Sequence, residues 1–324
     1  MIGAGFSMEF GYPTARELLP RVWGRLNEDK QAVLGKIVRF HHPGWDGRAA
    51  TLPEVEELLT ELAANKDLLP SLRSKGGFSV SDLESAREGL LLEIARWFHE
   101  IHAEGKGGPV LRQVVKRIKA TKAAIISFNW DYELDKALLS TVTPASYGIG
   151  DGTVRGTVLL KPHGSLNWYP GATGAHIRRD LRKLLWSEKG KKVYCFLRWR
   201  EIRSGRRQYL PWIVPPTHLK DFNHPMLKRI WQRCVDVLSK GEKVYFLGYS
   251  LPPADWHSRY IFRCGFHNQQ EGLPVDHGRE KPTGRSRVWV VNPDPGVFRR
   301  IESIVGWKCK WVPKRIGEWL RVGS

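Results

Sequence analysis

A glycine-rich segment near the start of the chain has the composition of an anion-binding turn. Gly3 and Gly5 flank Ala4, and Ser7 supplies a hydroxyl two positions after the second glycine. Glycine allows a sharp turn and lets a phosphate approach the backbone without meeting a Cβ atom. Backbone amides at such a turn, followed by the start of a helix, attract anions. A short Gly-x-Gly is also typical of ordinary turns, and this one lacks the third glycine of the usual dinucleotide-binding fingerprint.

Polar side chains follow two short apolar runs further along the chain. Asn129 and Asp131 come directly after the run 123–128, and His163 and Gly164 follow a second run, VLL. An apolar run followed at once by polar residues is typical of a buried parallel strand with a functional carboxyl end. An amide can orient water or hydroxyl groups, and an imidazole can act as a general base. The alternatives are a helix N-cap for the Asn or Asp and a structural role for the histidine.

Four motifs occur in a characteristic order, namely GAGFSMEFGYPTAR, IISFNWD, LKPHGS and YFLGYSLP. Together they resemble the sirtuin-like superfamily, which has a Gly-Ala-Gly-x-Ser loop followed by a Gly-x-Pro-x-x-Arg segment. The final apolar run ends at Asn292, which resembles the adenosine-side asparagine of that family. The resemblance implies that NAD+ is bound by the following residues: Gly3, Ala4, Gly5, Ser7, Pro13, Arg16, Gly248, Tyr249, Ser250 and Asn292.

Within this superfamily the chain is most similar to defence-associated bacterial enzymes that deplete NAD+ during phage infection. The resemblance implies an NAD+ glycohydrolase, which cleaves the nicotinamide–ribose bond to give nicotinamide and ADP-ribose. Asn129 would then orient water or ribose hydroxyls, and His163 would be the general base. Asp131 would support the loop that carries Asn129.

Two other functions are compatible with the same motifs. The first is NAD-dependent protein deacylation, which the lack of a cysteine tetrad and of an acyl-lysine-groove motif disfavours. The second is a non-catalytic nucleotide-sensing or nucleic-acid-associated module, which the net charge favours. The presence of both Asn129 and His163 counts against this second alternative.

The cysteines cannot supply the zinc module of the protein-deacylating sirtuins. The chain has no CxxC pair, and only Cys195 and Cys234 fall in the region where that module would lie, too few for a tetrahedral thiolate site. His99 and His102 lie three residues apart, but no neighbouring carboxylate spacing completes a site. We therefore expect no metal. Scattered thiols and the absence of a secretory signal predict a cytoplasmic protein.

The alternation of apolar runs and amphipathic segments predicts an α/β fold. We expect a Rossmann-like three-layer parallel sheet without a zinc module, whose strand-end loops converge on one crevice. A single sirtuin-like NAD-binding domain would span 1–324, with a helical insertion at 17–104 and a basic, zinc-free insertion at 171–235. Apolar stripes at helical spacing predict the first insertion, and comprise Leu18, Leu19, Val22, Leu26, Val55, Leu58, Leu59 and Leu62.

The charge of the chain bears on its partners. The chain has 52 lysine and arginine residues and 33 acidic residues, which gives a formal net charge of +19. Such a charge attracts polyanions such as nucleic acid. The alternative is an arginine-rich surface that is exposed to water and binds no partner. The basic segment 171–210, with the basic stretch 178–207 inside it, contains Trp186, Tyr194, Trp199 and Tyr209. It predicts either nucleic-acid contact or a hairpin with inward-facing aromatics.

The expected partners are NAD+, and nucleic acid or a defence partner protein on this basic surface. A homo-oligomer is also allowed. No apolar run is long enough to span a bilayer, so we expect no membrane partner.

The glycine loop should follow a central parallel strand, yet only Met1 and Ile2 precede Gly3. Without such a strand, its neighbours would have unpaired backbone groups and a trough would open in the core. We therefore expect a short hydrophobic strand upstream of Met1. Met1 and Ile2 themselves should enter the sheet beside the strand ending at Phe128 or the one ending near Leu247.

Overall fold

The computed structural model describes residues 1–68, 79–139, 143–150, 157–171, 182–196, 202–204, 207–214, 224–252, 255–275 and 284–322. These residues form a mixed α/β structure. Parts of the predicted basic stretch, including Trp199, lie outside the described residues.

The helices are α1 (Ala4–Ser7), α2 (Ala15–Trp23), α3 (Glu28–His41), α4 (Val55–Leu68), α5 (Val80–Glu104), α6 (Gly108–Thr121), α7 (Glu133–Leu138), α8 (Pro225–Ser239), α9 (Trp256–Glu271), α10 (Pro295–Val305) and α11 (Ile316–Val322). The strands are β1 (Ile125–Ile126), β2 (Leu159–Leu160), β3 (Gly164–Ser165), β4 (Trp168–Pro170), β5 (Arg182–Glu188), β6 (Lys191–Phe196), β7 (Ile202–Ser204), β8 (Arg207–Tyr209), β9 (Trp212–Ile213), β10 (Lys243–Leu247), β11 (Arg287–Val291) and β12 (Lys310–Val312).

Parallel pairing runs through the centre of the molecule. Strand β1 pairs with β2, and β10, β11 and β12 pair in that order. Ile2 joins the two groups, because it forms parallel bridges to Ser127 and to Leu247. Its amide donates to the carbonyl oxygen of Ile126 at 2.9 Å, and the amide of Leu247 donates to Met1 at 2.8 Å. The prediction that Met1 and Ile2 enter the sheet beside these strands is confirmed.

Helices cover both faces of β10. Successive side chains of a strand point to opposite faces of the sheet. The ring of Phe246 packs against Phe262 of α9 at 5.4 Å, whereas the ring of Tyr245 lies 6.1 Å from Trp319 of α11. Strand β10 is therefore buried between helices, as expected for an apolar strand in a parallel sheet.

Helices α2 to α5 occupy the range predicted as a helical insertion, and they pack on one another. Helix α2 begins at a capping box formed by Thr14 and Glu17, and α5 begins at one formed by Ser79 and Asp82. Such boxes satisfy backbone amides that the first helical turn leaves unpaired. All the residues of the predicted apolar stripes are buried, and all except Leu26 lie on helices, which confirms the helices there. Leu26 lies in the turn between α2 and α3.

The basic segment contains an antiparallel hairpin of β5 and β6, with β4 on its outer side. Trp186 and Tyr209 are buried, so their rings face inward, and Tyr194 is half-buried. The guanidinium of Arg229 also stacks over the Trp186 ring at 5.0 Å. The hairpin alternative is confirmed for the described residues. Throughout the described ranges, no helix combines the length and apolar character needed to cross a bilayer.

Candidate active site

Two glycine-containing loops pack backbone against backbone at the carboxyl end of the sheet. The amide of Gly5 donates to the carbonyl oxygen of Gly248 at 2.8 Å. A Cβ atom on Gly3 would lie 2.5 Å from Cα of Tyr249, and one on Gly248 would lie 2.5 Å from the carbonyl carbon of Gly5. Gly248 also has a φ of +61°, which L-residues rarely adopt. No side chain fits between these loops.

The contact between the loops predicts a large effect for Gly248→Ala. Forcing a methyl group into a packed contact costs about 1–3 kcal/mol, in addition to about 1–2 kcal/mol for the left-handed backbone. Gly272→Ala is the matched control, because Gly272 has a φ of +65° and nothing within 4 Å of its Cβ position. Denaturant unfolding should show that the Gly248 variant loses more free energy of unfolding. Equal losses would mean that the loops tolerate a side chain.

Asn129 is held by a chain of hydrogen bonds that crosses from one loop to the other. Its Nδ2 donates to the carbonyl oxygen of Gly3 at 2.9 Å and to Oγ of Ser7 at 2.7 Å. Ser7 Oγ in turn donates to Oδ2 of the buried Asp131 at 2.6 Å. Burial raises the pKa of this carboxyl, and the Ser7 hydrogen bond opposes the rise. Because both amide hydrogens are engaged, the group that half-buried Asn129 can offer a ligand is its amide oxygen.

His163 is buried beyond the end of β2 and lies beside a buried carboxylate. Its Nε2 is 3.4 Å from Oδ2 of Asp255. The same oxygen accepts hydrogen bonds from Tyr249 Oη and Ser258 Oγ, each at 2.6 Å. The Phe128 ring stacks on Tyr249 at 4.4 Å and meets the imidazole edge-on at 5.1 Å. A carboxylate in this position orients the imidazole and stabilises the imidazolium that forms when the histidine takes a proton.

Lys161 connects the loop after β1 with the loop after β2. Its ammonium is buried and donates to the carbonyl oxygen of Asp131 at 2.5 Å, to Asp135 Oδ2 at 2.9 Å and to Ser165 Oγ at 2.6 Å. These three acceptors satisfy the three hydrogens of the ammonium. The lysine therefore fixes the backbone from which Asn129 projects relative to the strand end that carries His163.

Helix α5 also contacts the loop after β1. The Tyr12 hydroxyl donates to Oε1 of Glu133 at 2.7 Å, and Nδ1 of His102 lies 2.8 Å from the same oxygen. Nδ1 of His99 lies 2.7 Å from the hydroxyl of Tyr132. The two histidines of the predicted helix thus take part in polar contacts that join the helical insertion to the site.

Glu56, in the first turn of α4, places an acidic group near the partner of His163. Its Oε2 is shielded from solvent and has no hydrogen-bond partner among the described residues. Burial, together with the negative charges of Glu54 and Asp255, raises the pKa of Glu56 to about 7. The helical insertion therefore supplies a carboxyl group that carries its proton close to neutral pH.

This shifted pKa predicts a pH dependence of stability. The folded protein holds the Glu56 proton to about pH 7, whereas the unfolded chain releases it near pH 4.5, so this group should lower the free energy of unfolding as the pH rises through that window. In the wild-type protein we expect this group to lower the free energy of unfolding by about 1–3 kcal/mol across the window, and Glu56→Gln should abolish that decrease. Urea unfolding at both ends of the window measures it, with exposed Glu57→Gln as the control. An unchanged pH profile in the Glu56 variant would contradict the shift.

The other predicted cofactor-binding residues lie around these contacts. Arg16 is exposed and its Nε pairs with Oε1 of Glu54 at 3.2 Å, so the segment after Pro13 is tied to the start of α4. Asn292 directly follows β11, and its Oδ1 accepts from the amide of Asp294 at 2.9 Å. Of the remaining positions, Ala4 and Ser250 are exposed and Pro13 is buried.

One group of potential metal ligands occurs among the described residues. Ligand atoms of His42, Glu57 and Glu61 lie within 4.8 Å of one another, and His42 Nε2 is 2.8 Å from Glu61 Oε1. This group belongs to the helical insertion, and acidic groups of this kind are common without a metal. All four cysteines are free thiols, and burial raises the pKa of Cys195 and of Cys234.

Three charged residues of the site were not predicted from the sequence. Lys161 directly follows an apolar run, and that position is the signal that could have identified it. Asp255 caps α9, because it accepts a hydrogen bond from the amide of Ser258 at 3.4 Å. The cap could have been predicted from the sequence. The contact of the same carboxylate with His163 could not. Glu56 carries no signal, because it is one of several acidic residues at the start of a helix.

Comparison with known proteins finds no family model and no curated protein that matches this chain. Chemical interpretation therefore depends on the geometry of the site. The loops combine glycine backbone suited to a phosphate, a fixed amide at Asn129 and a buried His163–Asp255 pair. The glycine backbone can bind the phosphates of an anionic nucleotide. The histidine of the His163–Asp255 pair can accept a proton from a group beside that nucleotide.

Proposed function

We propose that this protein is an NAD+ glycohydrolase that cleaves the nicotinamide–ribose bond. The observation that carries the proposal is that motifs far apart in sequence meet at one end of a parallel sheet. Asn129 reaches Gly3 and Ser7, Gly5 contacts Gly248, and the loop after Gly248 reaches the carboxylate beside the site histidine. Nucleotide sites typically occupy the crevice outside the carboxyl ends of parallel strands.

The strand order supports a sirtuin-like, Rossmann-like interpretation of the fold. If residues 1–2 count as the first strand position, the parallel order is 3-2-1-4-5-6, because β2 and β1 lie on one side of them and β10, β11 and β12 on the other. Folds with this order bind dinucleotides where the order reverses, between positions 1 and 4. The contact between the two glycine loops lies at that reversal.

The proposed reaction breaks the bond between the ribose C1′ and the pyridinium nitrogen. The bonding electron pair moves to the nicotinamide ring, which leaves neutral, and positive charge develops on the ribose. Water attacks C1′ and gives a proton to His163, and Asp255 stabilises the imidazolium. The Asn129 amide oxygen would orient the water or a ribose hydroxyl. Asp131, through Ser7, would hold the amide in place.

The biological role that we propose is depletion of NAD+ in a bacterial cytoplasm during anti-phage defence. It rests on the motif resemblance alone. A defence partner protein or nucleic acid would act through the basic surface. Base stacking does not support nucleic acid there, because the rings of Trp186 and Tyr209 are buried.

The test is chromatographic analysis of NAD+ incubated with the purified protein. The proposal predicts equimolar nicotinamide and ADP-ribose, without any requirement for an acylated peptide. Nicotinamide release that appears only with an acyl-lysine peptide, together with O-acyl-ADP-ribose, would indicate a deacylase instead. Parallel reactions with single-stranded and double-stranded DNA and RNA would identify activation by nucleic acid. NAD+ that binds but is never cleaved under any of these conditions would favour a nucleotide sensor.

A further inference from the structure

A large apolar trough opens at the end of the sheet opposite the candidate active site. It has a volume of about 980 Å³ and lies between β1 and β10, beside Met1 and Ile2. Its walls are largely apolar side chains from three helices, among them Val114 and Ile118 of α6, Leu238 of α8 and Leu320 of α11. Apolar surface of this extent is favourably covered by other apolar groups.

The two strands beside the trough continue past the first residue of the chain. Because Ile2 is level with Ser127 and Leu247 in parallel register, Met1 is level with Phe246. Strand β10 begins earlier, at Lys243, and β1 begins at Ile125. The backbone edges of these strands therefore flank the trough on both sides, at the spacing that Ile2 already bridges. Sheet edges of this kind pair with a further strand.

The buried amino group of Met1 lies at the boundary between the paired segment and the trough. The Met1 ammonium donates to the carbonyl oxygen of Tyr245 at 2.5 Å, the position that a backbone amide takes in a parallel ladder. Burial lowers the pKa of this ammonium to about 5, so the site disfavours the charged form. A peptide N–H would make the same hydrogen bond without a charge to desolvate.

We propose that the trough holds one further stretch of β-strand, formed by residues joined directly to the nitrogen of Met1 and running parallel to β1 and β10. The segment would be about three to six residues long, a usual length for a strand. It would be apolar and β-branched, because strands covered on both faces have this composition. Covalent continuity is favoured over a separate peptide, since the carboxylate of a separate strand would have to be buried against Met1. This inference does not depend on the proposed function.

The test compares two versions of the protein with pentapeptides placed ahead of Met1, one with the sequence KVIVV and one with the flexible sequence GSGSG. We expect the apolar extension to raise the unfolding temperature by about 4 °C or more relative to the flexible one. It should also slow hydrogen exchange at the amides of Ile126 and Tyr245, which face the trough. Equal unfolding temperatures together with unchanged exchange would overturn the proposal.

A third measurement distinguishes a strand in the same chain from one supplied by a partner. The acetylated, free KVIVV peptide is added at millimolar concentration to the unextended protein. The proposal expects little effect, because the peptide ends in a carboxylate and pays the full cost of association. Stabilisation by the free peptide equal to that of the extension would overturn covalent continuity and indicate an intermolecular strand. Activity is not the readout, so failure here leaves the proposed function untouched.

Discussion

Replacing His163 with alanine is expected to lower the rate of NAD+ cleavage by about a hundredfold or more, the usual contribution of a positioned general base. The imidazole is buried beside Asp255, and the Tyr249 and Ser258 hydroxyls that donate to the same carboxylate oxygen are not general bases that could take the proton from water in its place. Asn129→Ala should cause a loss of similar size. The measurement is the initial rate of nicotinamide release at saturating NAD+.

His267→Ala is the matched control for these variants, because His267 is exposed on α9, away from the contacts described above. It should retain the rate of the unchanged protein. Thermal unfolding of each variant separates loss of chemistry from loss of folding, and His163→Gln offers a second replacement of similar size. A wild-type rate in either His163 variant would remove this residue from the mechanism.

We expect Lys161→Met to lower the free energy of unfolding by about 3–5 kcal/mol. A loss of this size is typical when one partner of a buried ion pair is removed. The change would leave the Asp135 carboxylate, the Asp131 carbonyl and the Ser165 hydroxyl without their shared donor. Urea unfolding followed by fluorescence gives the value.

Lys183→Met is the control for this substitution, since Lys183 is exposed on the hairpin strand β5, and such a change usually alters stability by less than about 0.5 kcal/mol. A second variant, Lys161→Met with Asp135→Leu, should recover part of the loss, because removing both charges leaves no unpaired ion. A Lys161→Met protein as stable as the control variant would show that the buried ammonium is not required to hold the two loops.

The elements most accessible from the sequence were those with a long, periodic apolar pattern. Leu18, Leu19 and Val22 and the stripe at Val55 to Leu62 are buried on helices, because amphipathic spacing alone determines which face is covered. Leu26 is also buried but lies in the turn between α2 and α3. The run 123–128 was also recognised, but its regular pairing extends only over Ile125–Ile126. The length of a strand depends on its neighbours, and local composition does not contain that information.

Within the site, the motif residues Gly3, Ser7 and Asn129 were predicted from the sequence, and the structure brings them into hydrogen-bond contact. The charges that organise them were not predicted. Lys161 and Asp255 act through contacts with residues distant in the chain, which depend on the assembled sheet. A sequence shows which residues are able to ionise, whereas burial and pairing determine what each one does.

NAD+ is proposed to bind where the two glycine loops meet. Calorimetric titration of the His163→Ala protein with NAD+ measures this binding, because the variant should bind the dinucleotide without consuming it. We expect saturable binding of one NAD+ per chain. Adding Gly248→Ala should weaken binding by about tenfold or more, equivalent to about 1.4 kcal/mol, whereas adding Gly272→Ala should not. The absence of saturable binding at millimolar NAD+, or equal affinity in the two double variants, would show that NAD+ does not bind between these loops.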